Sequence, residues 1–505
     1  MTETRQDRAN SEYDTQPTRR SSFRQGVIFT GAGTAVNIVF LFLETMVAAR
    51  LLDTDSYGIY TLLVVVIGFL VVAVDLGFKT AVTQLIASGD RSRQAALASS
   101  ALVFRVLVIT VVSVVIWTGR DFLLLLDPSE RLLQYAACVP MMLVVASLDE
   151  LFLAIHQGFQ TYHHMAVAEI LRSVLRLCLS IAFLTALNLG VMAFVYAWTI
   201  SFGLSAFYLY LFLPTQKRFF FQGFALREML RFGFPLQGNR FLWLVSSRVD
   251  TVLLGALVGP TAVAHYAIAA RIPTALHRLF QSYIAVYFPT MAALLAEGQR
   301  KRAGRMLNSS LRLVSFAVAL VALTAVVFSQ EIVTLLFSEK YAASSPVFGL
   351  LMIALHMMVL ANLMGYTLTS AGFPGRSFGA NAIQTTLAVL ADWVLIPLLG
   401  FVGPACASLI SLNATNPLSV WMLRRSGIGV TVAPYAKQTA LLWLCAALFS
   451  WTHPVGFTVR AVIVVLFLVL NIALSTVSLQ DLSLILPEGV TERLGVRKEV
   501  LSSGR

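Results

Sequence analysis

Four arginines stand out because they lie inside apolar sequence. Arg240 and Arg248 share one hydrophobic segment, and Arg271 and Arg278 share the next. The turn between the segments falls at Gly259-Pro260. In a helical hairpin this sets Arg240 level with Arg278, and Arg248 level with Arg271. A guanidinium at the centre of a membrane costs about 3 kcal/mol even on insertion scales, so such groups normally face a wet cavity or a partner. Their planar forks suit bidentate binding of phosphate. Asp250, two residues after Arg248, can neutralise one of the middle pair. The chemistry of Arg240, Arg248, Asp250, Arg271 and Arg278 is therefore that of binding an anionic cargo. For Arg240 and Arg278 a second reading stays open, in which long side chains snorkel to the interface.

A second charged set is Asp149, Glu150, Glu169, Arg172 and Arg176. Glu169, Arg172 and Arg176 share one helix face, and Glu150 lies level with Arg172 across a turn near Thr161. Acids and bases nearly balance here, as in interhelical ion pairs that hold a structure together. Asp75 and Arg105 stand in adjacent segments and are placed to pair. Glu44 lies near the outer end of its segment, where water can reach it. Asp392 has no evident partner and is a candidate to bind a coupling cation or proton. Glu44, Asp75 and Asp392 thus form a group of coupling or structural charges.

These residues must be held by membrane-spanning helices. The 505 residues are 58% hydrophobic and only 12% charged, and the mean hydropathy is +0.79. A soluble chain carries about 25% charged residues. Apolar stretches of roughly 20 residues, the length of a bilayer-crossing helix, number fourteen between residues 26 and 479. The expected fold is an all-α polytopic membrane protein with two six-helix lobes and two further C-terminal helices. Its parts are an N-terminal tail (1–25), an N-lobe (26–213), a linker (214–230), a C-lobe (231–425), spans 13 and 14 (426–479) and a C-terminal tail (480–505).

Orientation follows from the loops. Twenty-four of the 37 Lys and Arg fall in loops and tails on the side of the N-terminus, against four on the other. The positive-inside rule then places both termini in the cytoplasm of a cell inner (plasma) membrane. The net charge of +12 is explained by loops that face an anionic leaflet, without a nucleic-acid partner. No small-residue cleavage site follows the polar first 25 residues, so the first segment reads as a retained span.

The halves also resemble each other. Glu44-Thr45 and Tyr60 reappear as Asp250-Thr251 and Tyr266 at an offset of 206. A six-helix offset preserves membrane direction, as in transporters built from two parallel bundles. No phosphate-cradling, zinc-protease or serine-hydrolase motif is present. The cysteines Cys138, Cys178, Cys406 and Cys445 make no C-x-x-C pair, and the three span histidines His265, His277 and His356 have no metal spacing. Neither a metal nor another cofactor is expected, and no large loop offers room for enzyme chemistry such as glycan polymerisation.

Several motifs, ordered across residues 20–425, carry a family resemblance. They are Asp75-Leu76-Gly77-Phe78, Arg248-Val249-Asp250-Thr251 running to Tyr266-Ala267 and Arg271-Ile272, Phe288-Pro289, Ala371-Gly372-Phe373-Pro374 and Gly400-Phe401-Val402-Gly403-Pro404. The chain resembles oligosaccharide flippases of the polysaccharide-biosynthesis branch of the multidrug/oligosaccharidyl-lipid/polysaccharide exporter superfamily. The resemblance implies two lobes around a cationic cavity, alternating access, and a lipid-linked oligosaccharide as substrate. The substrate's lipid anchor would be a polyprenyl (pyro)phosphate, moved from the cytoplasmic to the outer leaflet. It also implies membrane lipids, glycan polymerase and glycosyltransferases as partners. The alternative within the superfamily is a cation-coupled multidrug efflux transporter. The first span contains no deep arginine, which departs from the lipid II type of flippase.

Overall fold

The computed structural model describes residues 19–88, 91–215, 221–452, 456–474 and 476. Residues 1–18 and 477–505, most of both expected tails, lie outside that set. The described chain forms sixteen α-helices and four short 3-10 turns, with no strand among the described residues.

The first half comprises α1 (Arg19–Leu51), α2 (Thr54–Asp75), α3 (Phe78–Ser88), α4 (Arg91–Thr118), α5 (Cys138–Gly158), α6 (Tyr162–Ala186) and α7 (Val191–Leu211). Then come α8 (Gly223–Leu257), α9 (Pro260–Ala296), α10 (Arg300–Val327), α11 (Ser329–Phe337), α12 (Ser345–Ser370), α13 (Pro374–Leu399), α14 (Gly403–Arg425), α15 (Ala433–Thr452) and α16 (Phe457–Ala473). Each of the fourteen expected stretches coincides with one long helix; α3 and α11 are additional short ones.

Punctuation residues set these joints. Asp53 caps α2 by accepting a hydrogen bond from the Ser56 amide at 3.0 Å, which satisfies an otherwise orphaned donor. Gly259, at φ +108°, turns the chain, and Pro260 opens α9, where its missing N–H costs nothing. Leu76 and Gly77 end α2 in the left-handed region. Gly77 there lies directly against Gly233 of α8, so that a Cβ on either would collide with the other's backbone. Glycine is required at both positions by contact, and at Gly77 by φ as well.

Among the described residues, nine stretches are long and apolar enough to cross a membrane, one of which, Pro374–Arg425, holds two helices. The charges on α6 and α8 keep these two helices outside that set, α15 also lies outside it, and α16 is shorter at 17 residues. Valines 111, 114 and 115 of α4 and valines 462, 465 and 469 of α16 are exposed. Apolar stripes of this kind face lipid readily and water poorly. The protein is a multi-pass helical membrane protein.

The chain divides into two compact units, Met1–Arg248 and Val249–Arg505. The division falls inside α8, whereas the sequence placed a linker at 214–230. Packing explains the position. Ala225 and Met229 of α8 are buried in the first unit's core with Phe78, Val82, Leu151 and Leu209.

The same helix pairings recur within each unit. In the first, α5 packs on α2, α4 and α7, and α6 packs on α7. In the second, α12 packs on α9, α10 and α14, and α13 packs on α14. The repeated tyrosines also bond alike. Tyr60 donates from its hydroxyl to Glu44 at 3.1 Å, and Tyr266 donates to Asp250.

Candidate substrate site

In the first unit the carboxylates meet cations. Asp75 and Arg105, each 1% exposed, form an ion pair. Asp75 also accepts from the Lys79 amide at 3.1 Å, capping α3, and from Arg240 Nη1 at 2.8 Å. The other arm of Arg240 reaches Glu150, which Lys79 Nζ approaches at 3.2 Å. Arg172 pairs with Asp149, to which Ser205 donates a second bond. The Arg172 guanidinium also lies 4.8 Å from the Phe202 ring centroid. Arg176 Nε lies 2.6 Å from Glu44. Glu169 of α6 approaches Gly33 of α1.

Three sequence expectations are corrected here. Glu44 is not wet; it is 4% exposed, because α6 brings Arg176 onto α1. Arg172 takes Asp149 rather than the level Glu150. One residue turns a helix by about 100°, so equal depth does not give a shared direction. Arg240, grouped with the other three arginines by depth, is divided between Asp75 and Glu150, and 26% of its side chain is exposed. The first part of α8 belongs to the first unit, and Gln237, one turn earlier, donates to the Val72 carbonyl.

The remaining members of the expected site are less enclosed. Arg248, at the end of the first unit, is exposed; Arg278 is exposed and Arg271 half-buried in the second. Arg271 and Arg278 stand two helical turns apart on one side of α9. Asp250 accepts from Tyr266 and from the Thr251 amide. Asp392 of α13 is 3% exposed, and its Oδ1 has no hydrogen-bond partner. Asp250 lies within its electrostatic reach.

Sequence reasoning missed a polar and aromatic network between α9 and α12. It joins His277, Gln281, Asn362 and Tyr366. The only signals were two polar pairs at helical spacing, 277/281 and 362/366, on segments far apart in the chain. Among the described residues no cluster of His, Cys, Asp and Glu is placed to hold a metal.

The family model described as polysaccharide biosynthesis protein matches residues 47–346, and the chain belongs to that family. No curated protein matches the sequence. Among solved structures, the lipid II flippase MurJ in an inward closed conformation superimposes with a TM-score of 0.68 at 13% identity. The match covers 89% of this chain and 98% of that one. An inward-facing multidrug resistance MATE family transporter of the MOP superfamily gives 0.66 at 15% identity, covering 80% and 98%. A MOP superfamily transporter from Pyrococcus furiosus gives 0.56 at 16% identity, covering 80% and 95%. These likenesses establish the fold. The solved structures that share this fold are a flippase and transporters.

Proposed function

We propose that the protein flips a polyprenyl-(pyro)phosphate-linked oligosaccharide from the cytoplasmic to the outer leaflet of the cell inner membrane, by alternating access. One observation carries the reading. Arg248, Arg271 and Arg278 keep partial exposure on membrane-length helices, whereas Asp75, Asp149 and Glu44 of the first unit are buried against arginines. Sugars and phosphate cannot cross hydrocarbon unaided. Guanidinium groups open to water replace the lost solvation of the phosphate, and the polyprenyl tail remains in lipid. The distribution of Lys and Arg in the loops supports cytoplasmic termini, and on that side glycosyltransferases would supply the lipid-linked glycan. A glycan polymerase on the opposite side would consume it.

Asp392 is the proposed coupling group. A buried carboxylate with an unpartnered oxygen is a group that a proton or a small cation would satisfy. Glu44 and Asp75 are structural in this reading, since arginines already hold them. The efflux alternative has the MATE likeness in its favour, but cationic drugs would meet arginines of like charge.

In a strain that depends on this protein for surface glycan, Arg248→Ala and Arg271→Ala should abolish export while the protein still inserts in the membrane. Normal glycan with both variants would refute the phosphate role. Unchanged drug sensitivity in the deletion strain would tell against efflux.

A further inference from the structure

One end of the second unit carries a cavity of about 260 Å³. Its walls are the last turns of α9 and α12, Gly372, Arg300 at the start of α10, and Ser426 and Ile428 after α14. Three helices stop here, and they stop in the same way. Gly298, Gly372 and Gly427 take left-handed φ of +73°, +84° and +77°. The amide after each glycine bonds back five residues: Gln299 to Leu294 at 2.9 Å, Phe373 to Leu368 at 3.0 Å and Ile428 to Leu423 at 3.2 Å. The glycine amides themselves bond to the Leu295, Thr369 and Arg424 carbonyls, each at 3.1 Å. These Schellman closures satisfy carbonyls that a helix end leaves over. The carbonyls so bonded need no arginine as a cap.

Arginines are there nonetheless. Arg300 Nη1 lies over Gly427, 2.9 Å from the place a Cβ would take. Arg376, in the first turn of α13, donates to the Ser426 hydroxyl at 2.7 Å and lies 4.3 Å from the Phe373 ring centroid. Among the described residues neither arginine forms an ion pair. Lys301, Arg302, Arg305, Arg424 and Arg425 add to the charge of this end. The only acid in the three connections, Glu297, is exposed and accepts from Gln299 at 2.7 Å. The rest of the wall is apolar, with Ala292, Leu295, Ala296 and Ile428. Trp421, one turn before the end of α14, is 49% exposed and carries the Arg425 guanidinium 4.3 Å from its ring centroid. A half-open tryptophan at the end of a spanning helix belongs at headgroup depth.

We infer that this cavity binds the phosphate headgroup of an anionic membrane lipid, separate from the cargo. Arg300 takes the phosphate, Arg376 holds Ser426 in place and adds charge, and the apolar wall meets the glycerol backbone. Basic pockets between spanning helices suit such headgroups on the side of the anionic leaflet. The excess of loop Lys and Arg assigns this end to that leaflet. The volume lies just below the usual range for small-molecule sites, which starts at about 300 Å³. It suits a single headgroup and excludes an oligosaccharide. A lipid seated here would tie the α9–α10, α12–α13 and α14–α15 connections together. The inference does not depend on the transport reading.

The test uses the full-length protein, freed of lipid in an uncharged detergent, with phosphatidylglycerol, phosphatidylcholine and inorganic phosphate as probes. Phosphatidylglycerol should bind saturably and raise the melting temperature. Phosphatidylcholine, which brings a cation to the arginines, should bind at least about ten-fold more weakly. Arg300→Ala should weaken phosphatidylglycerol about ten-fold. Lys301→Ala removes the same charge from outside the cavity wall, and its affinity should stay within about two-fold of native. Ala296→Phe narrows the cavity without changing charge and should act like Arg300→Ala. Arg300, Lys301 and Ala296 are all exposed, so the lipid-free melt of each variant should match that of the native protein. Equal losses with Arg300→Ala and Lys301→Ala would mean diffuse attraction to a basic surface and would overturn the inference. So would equal binding of the two lipids. Binding of inorganic phosphate without phosphatidylglycerol would overturn the lipid assignment in favour of a soluble phosphate. Each of these outcomes leaves the transport reading, which rests on other arginines, where it stood.

Discussion

The two units share a plan and differ in what they do with charge. Each packs its fourth helix of six on the second, third and sixth, and each ties an early tyrosine to a carboxylate of its first helix. In the first unit the fifth helix, α6, supplies Arg172 to Asp149 and Arg176 to Glu44. The matching helix of the second unit, α13, carries no arginine in its membrane part and supplies Asp392 instead. The first copy therefore pairs buried carboxylates with arginines of its fifth helix, and the second places a buried carboxylate, Asp392, on the matching helix.

The largest effect that would break this comparison lies in the first unit. Asp75→Ala leaves Arg105 buried without its partner and removes one of the two carboxylates that hold Arg240. Removing one member of a buried pair costs about 3–5 kcal/mol. A sharp fall in thermal stability, or loss of folded protein from the membrane, is expected. A change below about 1 kcal/mol, the worth of an exposed pair, would show that the network does not hold the unit together.

Asp392→Asn should do the opposite: little change in the melt, but loss of response to an imposed ion gradient. The measurement is flipping in proteoliposomes under a pH or sodium gradient. A response equal to that of the native protein would remove Asp392 from coupling.

The smallest effect sharpens the likeness rather than the contrast. Tyr60→Phe and Tyr266→Phe each remove one hydrogen bond to a carboxylate, at a cost of about 1.5–3 kcal/mol for a charged acceptor. Similar losses of stability would confirm that the bond survived duplication in both copies. A loss confined to Tyr60→Phe would mean that only the first unit still uses it.

Much of the fold was legible because apolar runs of bilayer length are hard to mistake, and the loops between them are short. The Asp75–Arg105 pair was legible because adjacent spans bring opposite charges to one depth. Depth alone misled elsewhere. Arg240 is level with Arg278 in a straight hairpin, yet its azimuth and the packing of Ala225 and Met229 commit it to the first unit. The burial of Glu44 depends on Arg176, 132 residues away, and no local pattern announces such a contact. The α9–α12 network was invisible for the same reason. His277 and Asn362 meet across 85 residues, and imidazole, amide and phenol groups at helical spacing make no recognisable motif.

The central claim is that arginines of the second half and its border serve the cargo rather than the fold. Lipid flipping by purified Arg248→Ala and Arg271→Ala protein in vesicles, measured beside the thermal melt of the same samples, tests it most directly. A loss of transport of at least about ten-fold, with melting temperatures close to that of the native protein, is the predicted result. Native transport rates, or a collapse in stability like that expected for Asp75→Ala, would contradict it.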